Sequence, residues 1–217
     1  MIRALTTVLA VLALAFALGA EAWAYPTSLN IMPTADVLDQ GALAVEIESD
    51  GEPTPVSPGS EVGLFTQLGV ASCLEIGWDV CGLEAESYTV LNAKWRLVEE
   101  SGARPAVAVG LLDPTHGRLL SPWYVVATRY LGDVGVHGGY LDDGRGRAML
   151  GFESALAERT WLLADWISGP GAYHTFGVYH ELTDRLSVNL YYGRGNDRAA
   201  GHFVGLNLRW EQAIWQP

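Results

Sequence analysis

A chain of 217 residues with 13 Lys and Arg against 25 Asp and Glu carries a formal net charge of −12. That balance argues against a nucleic-acid partner and against a polybasic membrane-surface patch. It leaves room for a bilayer-spanning β-barrel, which can keep its charges in loops and lumen.

The N-terminus reads as a targeting segment. Arg3 supplies a minimal positive start, residues 4–18 are uncharged and mostly apolar, and Ala22-Trp23-Ala24 is a small-residue cleavage site before Tyr25. An uncleaved membrane anchor is the alternative; the cleavage site favours a signal peptide over residues 1–24. No Cys directly follows the apolar run, so a lipoprotein box is absent. The remaining chain, roughly 190 residues, suits one all-β domain. It contains no uninterrupted apolar run of helical spanning length. If it spans a membrane it does so as a closed barrel, because in lipid only helices and closed barrels satisfy every backbone hydrogen bond.

Residues 25–40 show neither helical nor strand period and carry Pro26 and Pro33. They are expected to form an irregular or extended lead-in on the periplasmic side. From residue 41 onward the chain reads as a β-barrel. Twelve strands are expected near 42–48, 62–70, 74–80, 88–98, 106–112, 123–130, 134–141, 148–155, 161–167, 173–181, 186–192 and 203–210. An even count is what a bacterial barrel requires. The clearest hairpin is His180 to Tyr192. Thr183-Asp184-Arg185 is turn chemistry, and beyond it Leu186, Val188, Leu190 and Tyr192 alternate with Ser187, Asn189 and Tyr191. Tight connections alternate with longer ones rich in Gly and Pro, the pattern of short periplasmic turns and external loops. A jelly roll would break that alternation. The fold class expected is all-β, a single antiparallel up-and-down transmembrane barrel.

Residues 29–43 run Leu-Asn-Ile-Met-Pro-Thr-Ala-Asp-Val-Leu-Asp-Gln-Gly-Ala-Leu. This stretch resembles the start of exopolysaccharide-associated outer-membrane barrels of the YjbH-like family, with Pro33-Thr34-Ala35 as the box and Gly41 before the first strand. A looser echo runs from Gly151-Phe152-Glu153 to Leu163-Ala164-Asp165-Trp166. Ser28 stands where the family pattern has Gly, and Asp165 where a Glu is usual. The resemblance implies an outer-membrane barrel.

Two features orient the faces. Aromatics lie on the apolar face near strand ends: Trp78, Tyr140, Trp166 and Tyr192 towards the loops, Trp95, Tyr130 and Trp210 towards the turns. Two such girdles are expected where rings meet lipid headgroups. The opposite face collects Glu46, Glu48, Gln67, Glu75, Asp79, Asn92, Lys94, Arg96, Arg129, His137, Glu153, Asp165, Asn189, Asn207 and Arg209. These are expected to line the lumen, since a Lys or Arg facing lipid at the midplane costs about 2–4 kcal/mol. Within that set Glu46, Glu48, Glu75 and Asp79 oppose Lys94 and Arg96. They suit either the eyelet of a narrow pore or a salt-bridged, filled lumen in which buried charges find partners.

Little else points to chemistry. Cys73 and Cys81, placed on one strand, would lie about 26 Å apart, too far to bridge. His174 and His180 share a strand face but stand about 20 Å apart and cannot bind one ion. Asp142, Asp143 and His116 lie in external loops, where an acid–His site is conceivable. No G-x-S-x-G elbow is present. Asp142-Asp143-Gly144-Arg145-Gly146 lacks the spacing of a calcium loop. No cofactor or metal is expected. The expected partner is the lipid bilayer of the outer membrane of a diderm bacterium, with polysaccharide or other envelope proteins as further candidates. The leading reading is therefore a passive channel, or a structural or export-associated component with a mixed-charge lumen, and not an enzyme. The alternatives are an outer-membrane enzyme with a loop site and a soluble periplasmic ligand-binding barrel.

Overall fold

The computed structural model describes residues 27–52, 54–57, 60–81, 87–112 and 122–215. The expected signal peptide and His116 lie outside these residues. Twelve strands form: β1 (Ala42–Gly51), β2 (Glu61–Ala71), β3 (Leu74–Cys81), β4 (Tyr88–Val98), β5 (Ala106–Leu112), β6 (Trp123–Leu131), β7 (Val134–Asp142), β8 (Arg147–Ala157), β9 (Thr160–Ile167), β10 (Tyr173–Glu181), β11 (Leu186–Gly195) and β12 (His202–Ala213). Each pairs antiparallel with its neighbour in sequence, and β1 closes on β12 through ten residue pairs from Ala42↔Ala213 to Gly51↔Val204. Closure removes both sheet edges. The molecule is a 12-stranded up-and-down barrel, as the strand pattern predicts.

The β10–β11 hairpin shows why these residues turn where they do. Thr183 Oγ1 accepts the backbone N–H groups of Arg185 (3.2 Å) and Leu186 (3.0 Å), and the Thr183 N–H donates to Leu186 O (3.0 Å). Beyond the turn, Ser187, Asn189 and Tyr191 are buried, whereas Leu190 is 52% and Tyr192 45% exposed. The apolar face therefore points outward. The same holds for Trp78, Leu91, Trp95, Leu150 and Phe176, all exposed. This is the inverse of a soluble barrel, which hides its apolar face. Cys73, in the β2–β3 turn, and Cys81, in β3, are not joined by a disulfide.

The two barrel ends differ. Tight turns and both ends of the barrel sheet lie at one, called here the turn end; the longer connections lie at the other, the loop end.

Candidate functional site in the barrel lumen

The lead-in does not stay outside the barrel. It folds back into it, contrary to the expectation of a segment on the periplasmic side. At the turn end the Gly41 N–H donates to Gly69 O (2.8 Å). Further in, Ser28 and Pro33 form an antiparallel bridge and the Leu29 N–H donates to Met32 O (2.9 Å), so residues 28–33 make a tight hairpin with its tip at Asn30-Ile31. Pro33 lacks a donor and suits a bridge one residue pair wide. Leu29, Asn30, Met32, Thr34, Ala35 and Leu38 are all buried.

Inward-facing polar groups grip this hairpin at three heights. At the tip, Asp165 Oδ2 on β9 accepts the backbone N–H groups of Asn30 (2.9 Å), Ile31 (2.9 Å) and Met32 (3.2 Å). Asp165 Oδ1 accepts the Thr175 hydroxyl. An acceptor-only side chain thus serves three donors that a tight tip leaves without backbone partners. The Asn30 side chain completes the tip, donating to Thr175 Oγ1 (2.9 Å) and accepting from Asn189 Nδ2 (3.1 Å). On the return limb, the Ala35 N–H donates to Thr128 Oγ1 (2.8 Å), which lies 2.9 Å from His137 Nδ1. His137 Nε2 in turn lies 3.3 Å from Glu153.

The base is held by an ion pair. Lys94 Nζ stands 3.3 Å from Glu75 Oε1, both fully buried. Lys94 donates to Thr27 O (2.9 Å), to Asp36 O (2.7 Å) and to the Thr27 hydroxyl. Glu75 accepts from the Leu38 N–H (2.8 Å), the Thr27 hydroxyl (2.5 Å) and Gln67 Nε2 (3.1 Å). A buried pair is tolerable when further hydrogen bonds satisfy the remaining sites on both ions, and here the lead-in backbone supplies them.

Several other residues of the mixed-charge wall bond to one another. Gln67 donates to Asn92 (2.8 Å), and Asn92 to Asp79 (2.5 Å). Asn207 donates to Glu46 (2.9 Å), and Glu48 is fully buried on the same strand. Near the turn end Arg96 donates to Ser72 O (2.8 Å), and Arg209 pairs with Glu211. Fourteen of the fifteen residues expected in the lumen thus face inward. The exception is Arg129, which faces outward. Thr128 points inward, so period two sends Arg129 outward and Tyr130 inward. Arg129 pairs with Glu100 (3.1 Å) at the turn end, where a cation costs little. The Tyr130 hydroxyl donates to Asp36 Oδ2 (2.9 Å) on the lead-in instead of joining a girdle. Trp78, Tyr140, Trp166 and Tyr192 at the loop end face outward, as do Trp95 and Trp210 at the turn end.

The lumen is not polar all round. Met32 and Ala35 of the hairpin pack in a buried cluster with Ala106, Ala108, Leu112, Tyr124, Val126 and Met149. The sequence carries one signal of this apolar seat on β5, β6 and β8. The β5 sequence Ala-Val-Ala-Val-Gly-Leu-Leu has no polar face, so something apolar must cover its inner side. Gly151 and Gly177 leave the space. A Cβ at Gly151 would meet Leu29 and Met32, and one at Gly177 would stand 2.6 Å from Asn30 Oδ1.

The hairpin divides the interior. A cavity of about 500 Å³ opens at the loop end, one of about 400 Å³ at the turn end, and a void of about 30 Å³ remains beside the hairpin between Ser28, Glu46, Asn189 and Asn207. Among the described residues no group of His, Cys, Asp and Glu is arranged to hold a metal ion. Asp142 and Asp143 accept the N–H groups of Gly144 (2.9 Å) and Arg145 (3.2 Å), and Asp143 pairs with Arg147 (2.6 Å), so both shape their own loop.

Comparison with known proteins agrees with this architecture. The family model described as exopolysaccharide biosynthesis protein YbjH matches residues 22–159. No curated protein matches the sequence. Among solved structures, the KdgM porin shares the fold with a TM-score of 0.56 at 9% identity, covering 77% of this chain and 98% of its own. A triple mutant of the Rhodopseudomonas blastica porin gives 0.41 at 14% identity, over 70% of this chain and 55% of that one. OprB of Pseudomonas putida gives 0.36 at 14%, over 78% and 62%. The KdgM match bears on fold alone. The family match spans more than half of the sequence: the chain belongs to the YjbH family of exopolysaccharide biosynthesis proteins and has the β-barrel fold of outer-membrane proteins.

Proposed function

We propose that the protein is an outer-membrane barrel of the exopolysaccharide machinery whose lumen is kept shut by its own N-terminal hairpin. Its action is passive. The hairpin must leave, wholly or in part, before anything passes, and no bond is made or broken in the barrel. The turn end faces the periplasm and the longer loops face outward, the usual arrangement of such barrels. Export through a cleaved signal peptide over residues 1–24 would deliver the chain there. The observation that carries the reading is that inward charges are taken up by the lead-in: Glu75 and Lys94, the acid–base pair at the heart of the candidate eyelet, bind its base, and Asp165 binds its tip.

The test is solute flux into proteoliposomes carrying the full chain. The unaltered barrel should admit small neutral sugars no faster than empty vesicles. Asp165→Ala should raise the flux at least tenfold, with heat-modifiable migration showing that the barrel still folds. Rapid flux through the unaltered protein would refute a shut lumen. A purely structural, permanently closed barrel is the second reading. The apolar seat of Met32 and Ala35 favours it, and it expects Asp165→Ala to stay closed.

A further inference from the structure

The outer surface carries a basic row that the closed lumen does not use. On the loop-end rim, Trp166 of β9 pairs in register with His174 of β10, His174 with Arg194 of β11, and Arg194 with His202 of β12. All four face outward. Neighbouring strands lie about 4.8 Å apart, so the three basic residues span about 10 Å. His174, Arg194 and His202 are exposed. Arg194 has no ion pair or side-chain hydrogen bond among the described residues. Of the acids nearby, Glu52 lies 3.4 Å from His202, at one end of the row, and leaves Arg194 and His174 unpaired by it. The Asp197 carboxylate accepts the N–H groups of Gly171, Ala199 and Ala200.

This placement is unusual for the molecule. The chain carries a net −12, and among the described residues the strand arginines that point outward are Arg129 and Arg194, Arg129 at the opposite end. Directly below the row, on the same strands, Phe176, Tyr192 and Leu190 are exposed. A cationic row above a continuous apolar strip matches a molecule with an anionic head and hydrocarbon chains. A protein partner with an acidic patch would have no use for the strip below.

We infer that the row of His174, Arg194 and His202 binds the headgroup phosphate of an anionic lipid in the leaflet around the loop end, whose acyl chains lie along Phe176, Tyr192 and Leu190. Arg194 donates a bidentate, charge-assisted pair to the phosphate oxygens, and the two imidazoles flank it. This inference rests on the bilayer placement proposed above.

Native mass spectrometry of the full chain in neutral detergent tests it, with phosphatidic acid or phosphatidylcholine of identical acyl chains added in turn. The protein should retain phosphatidic acid at least tenfold more than phosphatidylcholine. Arg194→Gln should reduce retention to the phosphatidylcholine level, His174→Gln and His202→Gln should each reduce it in part, and Arg129→Gln should leave it unchanged. Equal retention by Arg194→Gln and the unaltered chain would overturn the site, as would equal retention of the two lipids. Insertion into phosphatidylcholine vesicles is measured in parallel. A barrel that fails to insert refutes the bilayer placement itself; one that inserts yet shows no lipid preference refutes only the phosphate site.

Discussion

Asp165 is the residue on which the interior depends most. A hairpin tip buried in a barrel cannot turn its N–H groups to water, and three of them converge on one carboxylate oxygen. Hydrogen bonds to a charged group contribute about 1.5–3 kcal/mol each. Asp165→Ala should therefore loosen the tip by at least about 2 kcal/mol, speeding amide exchange at Asn30, Ile31 and Met32 roughly 30-fold. Unchanged exchange there would show that the apolar contacts alone seat the hairpin. A milder residue-level test lies in the β11–β12 loop. The N–H of Gly171, with those of Ala200 and Ala199, holds the Asp197 carboxyl below its ordinary value of 3.8. A depressed carboxyl supports its loop above the ordinary value and loses that support as pH falls through the folded one. Amide protection at Gly171 and Ala199 should stay constant from pH 7 to about pH 4 and decline only below. A decline already at pH 5 would contradict this. The sequence marks Asp165 as lumen-facing, because it alternates with apolar neighbours on β9. It does not reveal the partner, which lies 133 to 135 positions earlier.

At the scale of elements, strands were legible wherever one face is polar. In β11 the phase is unambiguous, and the outward leucine and inward asparagine follow from it. In β6 it is not: Trp-Tyr-Val-Val-Ala-Thr-Arg-Tyr-Leu is apolar on both faces until its last turn of the pleat. Assigning Arg129 inward on the charge rule put Tyr130 outward, and one residue of phase reversed both. The apolar seat is hidden for the same reason, since β5 and most of β6 carry apolar residues on their outer face and pack against Met32 and Ala35 on their inner one. The lead-in was illegible for a different reason. A hairpin whose backbone is satisfied by strand side chains needs no period of its own. Its seat can be tested with a single inward glycine. Gly151→Leu should drive Leu29 and Met32 out of place and open the barrel to sugar flux, while the β7–β8 and β8–β9 ladders persist by infrared amide bands. Gly138→Ala, at an outward glycine on β7 where a Cβ would make only ordinary contacts at 3.9 Å, should change neither.

For the whole molecule, the strand count and the antiparallel order follow from alternation plus turn spacing, and the outward apolar face from the aromatics on one face and the charges on the other. Closure follows because twelve strands with one face towards lipid cannot leave an edge. Whether the lumen is open depends on how a period-free segment folds against side chains far away in sequence. The central claim, that the barrel is shut by residues 27–38, is tested most directly by single-channel recording in a planar bilayer. The full chain should give no resolvable current at voltages where a chain lacking residues 27–38 gives discrete conductance steps, with both forms heat-modifiable. Equal steps from both forms, or silence from a correctly folded deletion, would contradict it.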